Sequence, residues 1–304
     1  EMALQKEVWQ TTIVDNLYPD NSFAVKSVDD SEFVDNKTVH IPNAGAASEV
    51  KKNRTIKPAT ISQRTDNDLS YDMDELTTDP VSIPNIEVVQ FSYNKRESII
   101  ANDRRALQDA AHVNLLGRWG KAAEGSVLLT TGTKTEAAHT SSTATGSRKA
   151  ITKADVFKLM RKFDSENVPE ADRYLLLDAY MYSQLLEDLT ESDKMAFLAS
   201  ANAQTGVVGM LAGFNIMKRS QVLRLSANKT ILDWDSEGAA GELAAGLAWQ
   251  KESVSRAIGE FKMFEDLQSP TYYGDIYSFL VMTGGACRRY DKKGIALIAE
   301  VPAS

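Results

Sequence analysis

The chain has 304 residues, of which 43% are hydrophobic and 25% are charged, and its formal net charge is −8 at pH 7. This composition predicts a soluble globular protein with a sizeable core and excludes wholesale disorder. The acidic balance argues against a dedicated DNA reader, and no apolar run approaches the roughly 20 residues that a membrane helix needs. The first ten residues, EMALQKEVWQ, lack the apolar core of a signal peptide.

Residues 1–50 carry little apolar periodicity. Residues 4–14 are compatible with a short helix, after which Asp, Asn, Pro and Ser interrupt the chain, and 37–42 (KTVHIP) is typical of a short strand ending at proline. The segment has too little apolar surface to fold alone. We therefore expect an N-terminal arm that lies on another surface.

Residues 50–85 combine a basic run with an acidic one. The acidic residues recur at every second position, which places them on one face of a strand. An EF-hand calcium loop is excluded, because Tyr71 stands where that loop requires glycine and Thr77 where it requires its last glutamate. The basic residues are Lys51, Lys52, Arg54 and Lys57, and the acidic ones are Asp66, Asp68, Asp72 and Asp74, with Ser70 between them.

Two interpretations of this charged segment remain open. The first is a solvated acidic face, which is the usual meaning of such a run. The second is a two-stranded loop whose basic and acidic strands pair with each other or with a neighbouring copy. A partner surface is attractive because an isolated hairpin is only marginally stable in water. In the second interpretation the eight charged residues are candidate inter-subunit contacts.

Two helices and a loop follow. The clearest helix covers 97–120, where large or small apolar residues recur every fourth position: Leu107, Ala111, Leu115 and Trp119. Residues 124–150 are rich in Thr, Ser, Gly and Ala, which predicts a mobile surface loop or hairpin rather than core. A second helix is expected over 152–163, with Thr152 as its cap.

The second half of the chain alternates short predicted elements. A buried strand is predicted at 174–177, and Asp178 is predicted to cap the helix after it. Residues 242–249 are compatible with helix or strand. One long strand is predicted at 256–264, and a tight turn with glycine in a left-handed conformation at 291–294.

The stretch GVVGMLAGFNIMKRSQV, 206–222, raises the question of a phosphate-binding loop. Its glycines Gly206, Gly209 and Gly213 are spaced three and four residues apart, and no Lys-Ser or Lys-Thr pair follows. This spacing fits neither the dinucleotide fingerprint nor the P-loop. We expect the glycines to supply unusual backbone angles and close approach instead.

No catalytic or metal site is indicated, and no cofactor is expected. His40, His112 and His139 lie in unrelated contexts, so no metal-ligand spacing is present. The single cysteine, Cys287, is interpreted as a buried structural thiol in a reducing compartment. An enzyme could use the carboxylates of LEDLTESDK, but these are interpreted as a solvated helix end without a second cluster to complete a site: Glu187, Asp188, Glu191 and Asp193.

Three stretches, in this order, resemble segments of tailed-phage major capsid proteins. NVPEADRYLLLDAYMYSQLL is similar to their strand–helix segment, in which a proline, an arginine, an apolar strand and a tyrosine-bearing helix follow one another. GVVGMLAGFNIMKRSQV is similar to their glycine-rich segment that leads into a strand. LAWQKESVSRAIGEF, with a closing strand pair that ends in GIALIAE, is similar to their C-terminal part. The first 150 residues resemble the family in the order of their segments, and not in specific sequence motifs.

The resemblance implies an α+β protein of the Hong Kong 97-type capsid fold. The parts that it implies are an N-terminal arm at 1–50, an extended loop at 50–85, a peripheral domain at 86–164 and 256–290 with a spine helix at 97–120, and an axial domain at 165–255 and 291–304.

The resemblance also implies a function without catalysis. Capsid subunits self-assemble into hexamers and pentamers of an icosahedral head that encloses double-stranded DNA, so the implied location is the virion capsid, assembled in the bacterial cytoplasm. The implied partners are other copies, a portal and, non-specifically, packaged DNA, with no membrane. No long charged helical segment precedes the arm, so a separate scaffolding protein is expected.

Two points stay open within this resemblance. Lys218 and Arg219 either face packaged DNA or a neighbouring subunit, or form an ordinary solvated basic pair. An encapsulin-type shell, which encloses a cargo enzyme, shares the fold and is the alternative to a phage head.

Overall fold

The computed structural model describes residues 17–35, 37–45, 47–55, 57–58, 61, 63–84, 95–233 and 235–303. The helix expected at 4–14 lies outside these residues. The described helices are α1 (Lys95–Ala123), α2 (Lys153–Ser165), α3 (Ala179–Asp188) and α4 (Glu191–Ala199). The strands are β1 (Val28–Asp29), β2 (Val34–Asp35), β3 (Thr38–Asn43), β4 (Asn67–Asp72), β5 (Asp74–Thr77), β6 (Val81–Pro84), β7 (Val127–Leu129), β8 (Thr135–Ala137), β9 (Ser147–Lys149), β10 (Arg173–Leu177), β11 (Val207–Leu211), β12 (Phe214–Lys218), β13 (Leu223–Leu225), β14 (Leu243–Gln250), β15 (Val254–Ile258), β16 (Lys262–Ser269), β17 (Gly274–Cys287) and β18 (Ile295–Ala299).

Helix α1 joins the two main sheets. It is the helix predicted at 97–120, and its 29 residues give a length of about 44 Å. Near its start, Leu107 and Ala111 pack on β17, and toward its end Leu115 and Trp119 pack on the larger sheet. The Trp119 indole also donates to the backbone oxygen of Ser255 at 2.8 Å. The apolar face of α1 that the sequence predicts is therefore the face that packs against both sheets.

The larger sheet has seven strands, in the order β11-β12-β10-β14-β18-β7, with β13 also paired to β14. All residues of β10, β14 and β18 are buried. Burial on both faces explains why 242–249 shows no clear periodicity, because such a strand has no polar face. The ambiguity there is resolved as strand β14, which lies between β10 and β18.

Helices α2, α3 and α4 cover the second face of this sheet. Their apolar residues, such as Leu159, Met181 and Phe197, form one core with the side chains of β10, β12 and β18 that point the same way. Asp178 accepts a hydrogen bond from the Met181 backbone at 2.7 Å, so the predicted helix cap is confirmed. The buried strand predicted at 174–177 is also confirmed as β10.

The second large sheet is built around β17, a strand of 14 residues. Strands β15 and β16 pair along one edge of β17, and β5 and β6 pair along the other. The prediction of one long strand at 256–264 is wrong, because the pairing breaks at 259–261. There the Gly259 backbone donates to the Met282 oxygen at 2.7 Å, and the register with β17 shifts by one residue, as in a β-bulge.

The described part of the N-terminal segment, from residue 17, packs on other parts of the same chain. Phe23 and Ala24 join the core between α1 and the larger sheet, and β1 pairs in parallel with β15. Strands β2, β3 and β4 form a separate three-stranded sheet that packs on β15 and β17. The predicted strand at 37–42 is therefore present as β3, and the surface that receives this part of the arm includes the protein's own core.

The loop at 124–150 contains both a core strand and a hairpin. Strand β7 extends the seven-stranded sheet by pairing with β18, while β8 and β9 pair with each other. Helix α2 packs on the same sheet. The turn at 291–294 has the expected left-handed glycine, since φ of Gly294 is 78°. These pairings favour a boundary between the two structural parts near the end of α1 rather than at 164, and the domain limits stay a prediction.

Candidate functional site

The acidic strand β4 is an outward-facing surface strand. Residues 68, 70 and 72 are exposed and alternate with the inward residues Leu69 and Tyr71, as the period of two predicts. Its partner is β3, and cross-strand contacts join His40 Nδ1 to Asp68 at 2.9 Å and the Thr38 hydroxyl to Asp72 at 2.7 Å. Asp68 and Asp72 therefore remain on the surface with part of their hydrogen-bonding capacity already used.

Asp66 and Asp74, at the two ends of the acidic run, are bound within the chain. The Arg64 guanidinium holds both oxygens of Asp66, at 2.6 and 2.8 Å. Asp74 accepts from Arg118 at 2.7 Å and from Asn114 at 2.8 Å, both on α1. Burial alone raises the pKa of Asp74, but these hydrogen bonds outweigh it and the pKa is lowered. Asp74 thus fixes β5 to α1 as an anion.

The basic run does not pair with the acidic strand. Lys51, Lys52, Arg54 and Lys57 are exposed, and no strand is formed by the described residues between 47 and 58. Lys51 contacts Glu49 at 3.2 Å. The intrachain version of the two-stranded loop is therefore wrong for the described residues, because the basic run forms no strand there and the strand that pairs with β4 is β3. Pairing of the basic run with a neighbouring copy stays a prediction.

The three glycines of 206–222 have backbone and packing roles. Gly206 ends a short 3-10 turn with φ of 73°, and Gly213, with φ of 77°, forms the tight turn between β11 and β12 together with Ala212. A side chain on Gly209 would lie 2.5 Å from the ring of Phe197. The segment is thus a close-packed hairpin, and it does not open into a helix as a phosphate loop does.

The basic pair after this hairpin is split between surface and interior. Lys218 is exposed and its ammonium lies 5.3 Å from the centre of the Tyr182 ring. Arg219 is only 5% exposed and binds Asp109 at 2.7 Å, Asn21 at 3.2 Å and the Gln221 oxygen at 2.6 Å. Of the two interpretations of this pair, neither holds for Arg219, because its guanidinium is buried and paired within the chain. Arg219 directly follows β12 and its backbone still donates to the Leu177 oxygen at 3.0 Å, so its side chain points to the opposite face from that of Lys218.

The carboxylates considered for catalysis hold helix ends and loops. Asp188 accepts from the Lys153 backbone at 2.8 Å, and Asp193 binds the Lys153 ammonium at 2.8 Å. Glu187 binds Lys134 and Glu191 binds Lys194, each at 3.1 Å. These contacts are structural, and the four carboxylates do not converge on one cleft.

A cleft beside α1 and the thiol of Cys287 are the remaining candidates for a catalytic site in the described residues. A cleft of 540 Å³ lies between α1 and β13, but Arg118, Lys121 and Arg219 in its wall are already paired with carboxylates. Cys287 is buried, and its burial raises the pKa of the thiol, which disfavours the reactive thiolate. Within the described ranges, no three His, Cys, Asp or Glu side chains are arranged so that they could hold a metal ion, and no helix is long and apolar enough to cross a membrane.

Strand β16 is an exposed strand that carries apolar side chains, and the sequence pattern did not single it out. Its first seven residues are all exposed, and Met263, Phe264 and Leu267 are each about half exposed, at 47%, 52% and 50%. Strand β16 pairs with β17 on one side, and the described residues provide no strand for its other edge. Tyr272 and Tyr273, at the turn between the two strands, are exposed as well.

Comparisons with known proteins find this architecture in solved structures but not in protein-family models or curated sequences. No protein-family model matches the chain, and no curated protein sequence is significantly similar to it. Among solved structures, the capsid of cyanophage P-SCSP1u is similar with a TM-score of 0.67 and 17% identity, over 99% of this chain and 93% of that one.

Two further structures agree. The capsid of Ralstonia phage GP4 has a TM-score of 0.68 and 11% identity, over 99% of this chain and 96% of that one. The capsid of a native GTA particle has a TM-score of 0.64 and 13% identity, with the same coverages of 99% and 96%. The chain therefore has the α+β fold of phage capsid subunits over nearly its whole length, and the fold expected from the sequence is confirmed.

Proposed function

We propose that this protein is a major capsid subunit that self-assembles into the hexamers and pentamers of an icosahedral phage head around double-stranded DNA. The observation that carries the proposal is the exposed strand β16, with three half-exposed apolar side chains and an edge that no strand among the described residues covers. An exposed apolar edge strand is a liability for a monomer, because it attracts other strands. In a shell subunit the same surface is covered by a neighbour.

The shared fold indicates which neighbour to expect. Fold alone does not establish function, so the argument needs a surface that works only in an assembly. The solved structures that this chain resembles are capsids, and in each comparison the similarity covers almost the whole of both chains. Other copies of the same chain are therefore the partners that best fit β16 and its turn.

The charged surface of β4 supports a second contact. Asp68 and Asp72 face outward on this strand, and the exposed basic run at 51–57 lies in the same segment of the chain. Opposite charges on neighbouring copies would set the register of assembly more than its strength. In this proposal residues 127–165 belong to the axial domain instead of the peripheral domain, because they pack with the seven-stranded sheet. All other limits of the arm, the extended loop and the two domains are those given above.

The remaining partners follow from the same proposal. A separate scaffolding protein and a portal would control assembly in the bacterial cytoplasm, and the finished location is the virion. The net charge of −8 limits adhesion to packaged DNA, whose phosphates repel the chain except at local basic patches. Lys218 is available for such a contact, whereas Arg219 is not, because its guanidinium is buried and paired.

The test is the mass and shape of the purified chain, measured by light scattering and negative-stain microscopy. We expect closed shells, or hexamers and pentamers, for the natural sequence. Changing Met263 and Phe264 together to Ser should abolish assembly while leaving the unfolding temperature of the unassembled chain nearly unchanged, because both side chains are exposed.

The matched control changes two polar residues of the same strand, Lys262 and Asp266, to Ser. Normal shells from this control and none from the apolar variant would support the surface as an interface. Assembly of the apolar variant with normal yield would remove the main support for the proposal. Shells that enclose a protein rather than DNA would favour the encapsulin alternative.

A further inference from the structure

The loop between α1 and α2 is fastened to the end of the chain. The Thr130 backbone donates to the Ala299 oxygen at 3.0 Å, and the Lys149 backbone donates to the Val301 oxygen at 2.8 Å. Between these points the Gln221 amide donates to the Thr140 oxygen at 2.9 Å. The middle of the loop thus lies over the end of β18 and the start of α3.

A buried imidazole–carboxylate pair sits under this loop. His139 Nε2 lies 3.0 Å from Asp178 Oδ2, and the two side chains are only 10% and 5% exposed. The imidazole ring stacks on Tyr180 with 4.2 Å between ring centres. Because Asp178 also caps α3 through the Met181 backbone, the pair ties the loop directly to a helix start.

A second buried carboxyl group faces this pair. Glu300, which follows β18, is 1% exposed, and its Oε1 has no hydrogen-bond partner among the described residues. It interacts electrostatically with His139 and Asp178, and Gln184 of α3 lies beside it. Strand β14 presents the Ala244 oxygen, which accepts from the Glu300 backbone at 2.9 Å.

Two further charged side chains, Arg148 and Glu242, are buried near the end of the chain. Arg148 of β9 is 3% exposed, and its guanidinium donates to the Glu242 backbone oxygen at 2.7 Å. The Glu242 Oε1 accepts from the Ala239 backbone at 2.8 Å, whereas its Oε2 has no hydrogen-bond partner among the described residues. The titratable groups that face Glu300 are His139 from the loop and Asp178 from the start of α3.

We propose that His139, Asp178 and Glu300 form a proton-dependent clamp that holds the 130–150 loop against α3 and the end of β18. With Glu300 protonated, the cluster contains one imidazolium–carboxylate pair and a neutral acid, so its charges balance. With Glu300 ionised, two carboxylates share one imidazole in a buried site, which is unfavourable. The clamp is a property of the folded chain and does not depend on the proposed function.

The direction of the pH dependence follows from burial. Burial raises the pKa of Glu300 to about 7. Burial also opposes the charged form of His139, but the hydrogen bond and charge of Asp178 outweigh it, so the pKa of His139 is raised. A group whose pKa is raised in the closed state stabilises that state at low pH and loses this effect as pH rises. The clamp is therefore tightest below the ordinary glutamate pKa of 4.5 and weakens as pH rises through about 7.

The experiment is hydrogen exchange of the loop amides, corrected for the intrinsic effect of pH, in the natural chain and in Glu300→Gln. If the opened loop gives Glu300 its ordinary pKa, the opening constant of the natural loop rises roughly 70-fold between about pH 5 and about pH 8. Glu300→Gln imitates the protonated acid, so its opening constant should rise much less than that of the natural loop, and the rise that remains comes from His139, whose pKa Asp178 still raises. At about pH 8 the variant loop should therefore be the better protected of the two.

Two further variants make the result decisive. Glu170→Gln is the same change at an exposed glutamate and should keep the full natural pH dependence. His139→Gln removes a positive charge that lowers the pKa of Glu300, so it should displace the rise in opening to higher pH. A natural loop whose protection does not change with pH would overturn the clamp, and so would a Glu300→Gln variant that retains the natural profile.

Discussion

Lys218 and Arg219 are neighbours in the chain, yet only one of them is exposed. Arg219 is 5% exposed and joins β12 to α1 through Asp109 and to the arm through Asn21. Lys218 points the other way, toward the ring of Tyr182 at the surface. The Arg219 guanidinium thus links three segments: β12, α1 and the N-terminal arm. The Lys218 ammonium does not link them.

This difference predicts unequal effects of the same substitution. Arg219→Met should destabilise the unassembled chain by about 2–3 kcal/mol, because it removes one partner of a mostly buried ion pair and leaves the Asp109 carboxylate uncompensated. Lys218→Met, the adjacent control, should cost less than about 1 kcal/mol. Urea unfolding followed by fluorescence measures both. Equal losses for the two variants would contradict the assigned roles.

Strand β4 shows the same division at the scale of an element. Asp68 and Asp72 lie on its outer face, where their contacts with His40 and Thr38 are exposed to solvent. Asp74, in the next strand, faces α1 and binds Arg118 and Asn114. One regular acidic pattern in the sequence therefore serves two purposes, an outward charged face and an inward anchor.

We expect Asp68→Asn with Asp72→Asn to change assembly without changing folding. Exposed ion pairs contribute little to stability, so the unfolding temperature should stay the same. The yield of natural shells should depend on salt between about 0.1 M and about 1 M, as the Debye length falls from about 10 Å to about 3 Å, and the double variant should lose this dependence. Light scattering at each salt concentration measures the yield.

Asp74→Asn is the matched control for that experiment. Its carboxylate has a lowered pKa in the folded chain, so it stabilises the fold at neutral pH and loses this effect as pH falls. The control should lower the unfolding temperature at neutral pH. If shells of the Asp68 and Asp72 double variant respond to salt as the natural shells do, the outer face does not set the register.

At the scale of the whole molecule, two sheets share one helix. Helix α1 packs its first half on the β17 sheet and its second half on the seven-stranded sheet, and the Trp119 and Trp249 rings meet at 5.6 Å where the two parts join. Strand β16 and its turn carry exposed apolar side chains at the edge of the first sheet. In the described residues, this arrangement leaves an exposed apolar surface at the edge of the β17 sheet.

Many weak contacts on one subunit predict cooperative assembly. Each subunit in a closed shell uses several contacts at once, so partly built shells are less stable per subunit than complete ones. Sedimentation velocity should show a threshold concentration, above which added chain enters particles of one size while the free chain stays constant. A gradual increase in particle size with concentration would instead indicate open polymers.

The elements with strong local signals were predicted correctly. Helix α1 was located from apolar residues at every fourth position, which are Leu107, Ala111, Leu115 and Trp119. The start of α3 was located from its capping residue, Asp178. These features depend on interactions within a few residues, which the sequence specifies directly. The strand at 256–264 was predicted without its bulge, because the bulge is set by pairing with distant β17.

The sequence by itself determined that the chain is acidic, that it has no phosphate loop, and that it contains a long amphipathic helix and a strand with alternating acidic residues. It also determined the order of segments, which resembles that of phage capsid proteins. Only the tertiary structure decided that Arg219 is buried, that β3 rather than the basic run pairs with β4, that β16 is exposed and that Glu300 meets His139 and Asp178. The physical reason is range: helix periodicity and caps are local, whereas burial and strand pairing depend on residues far away in the chain.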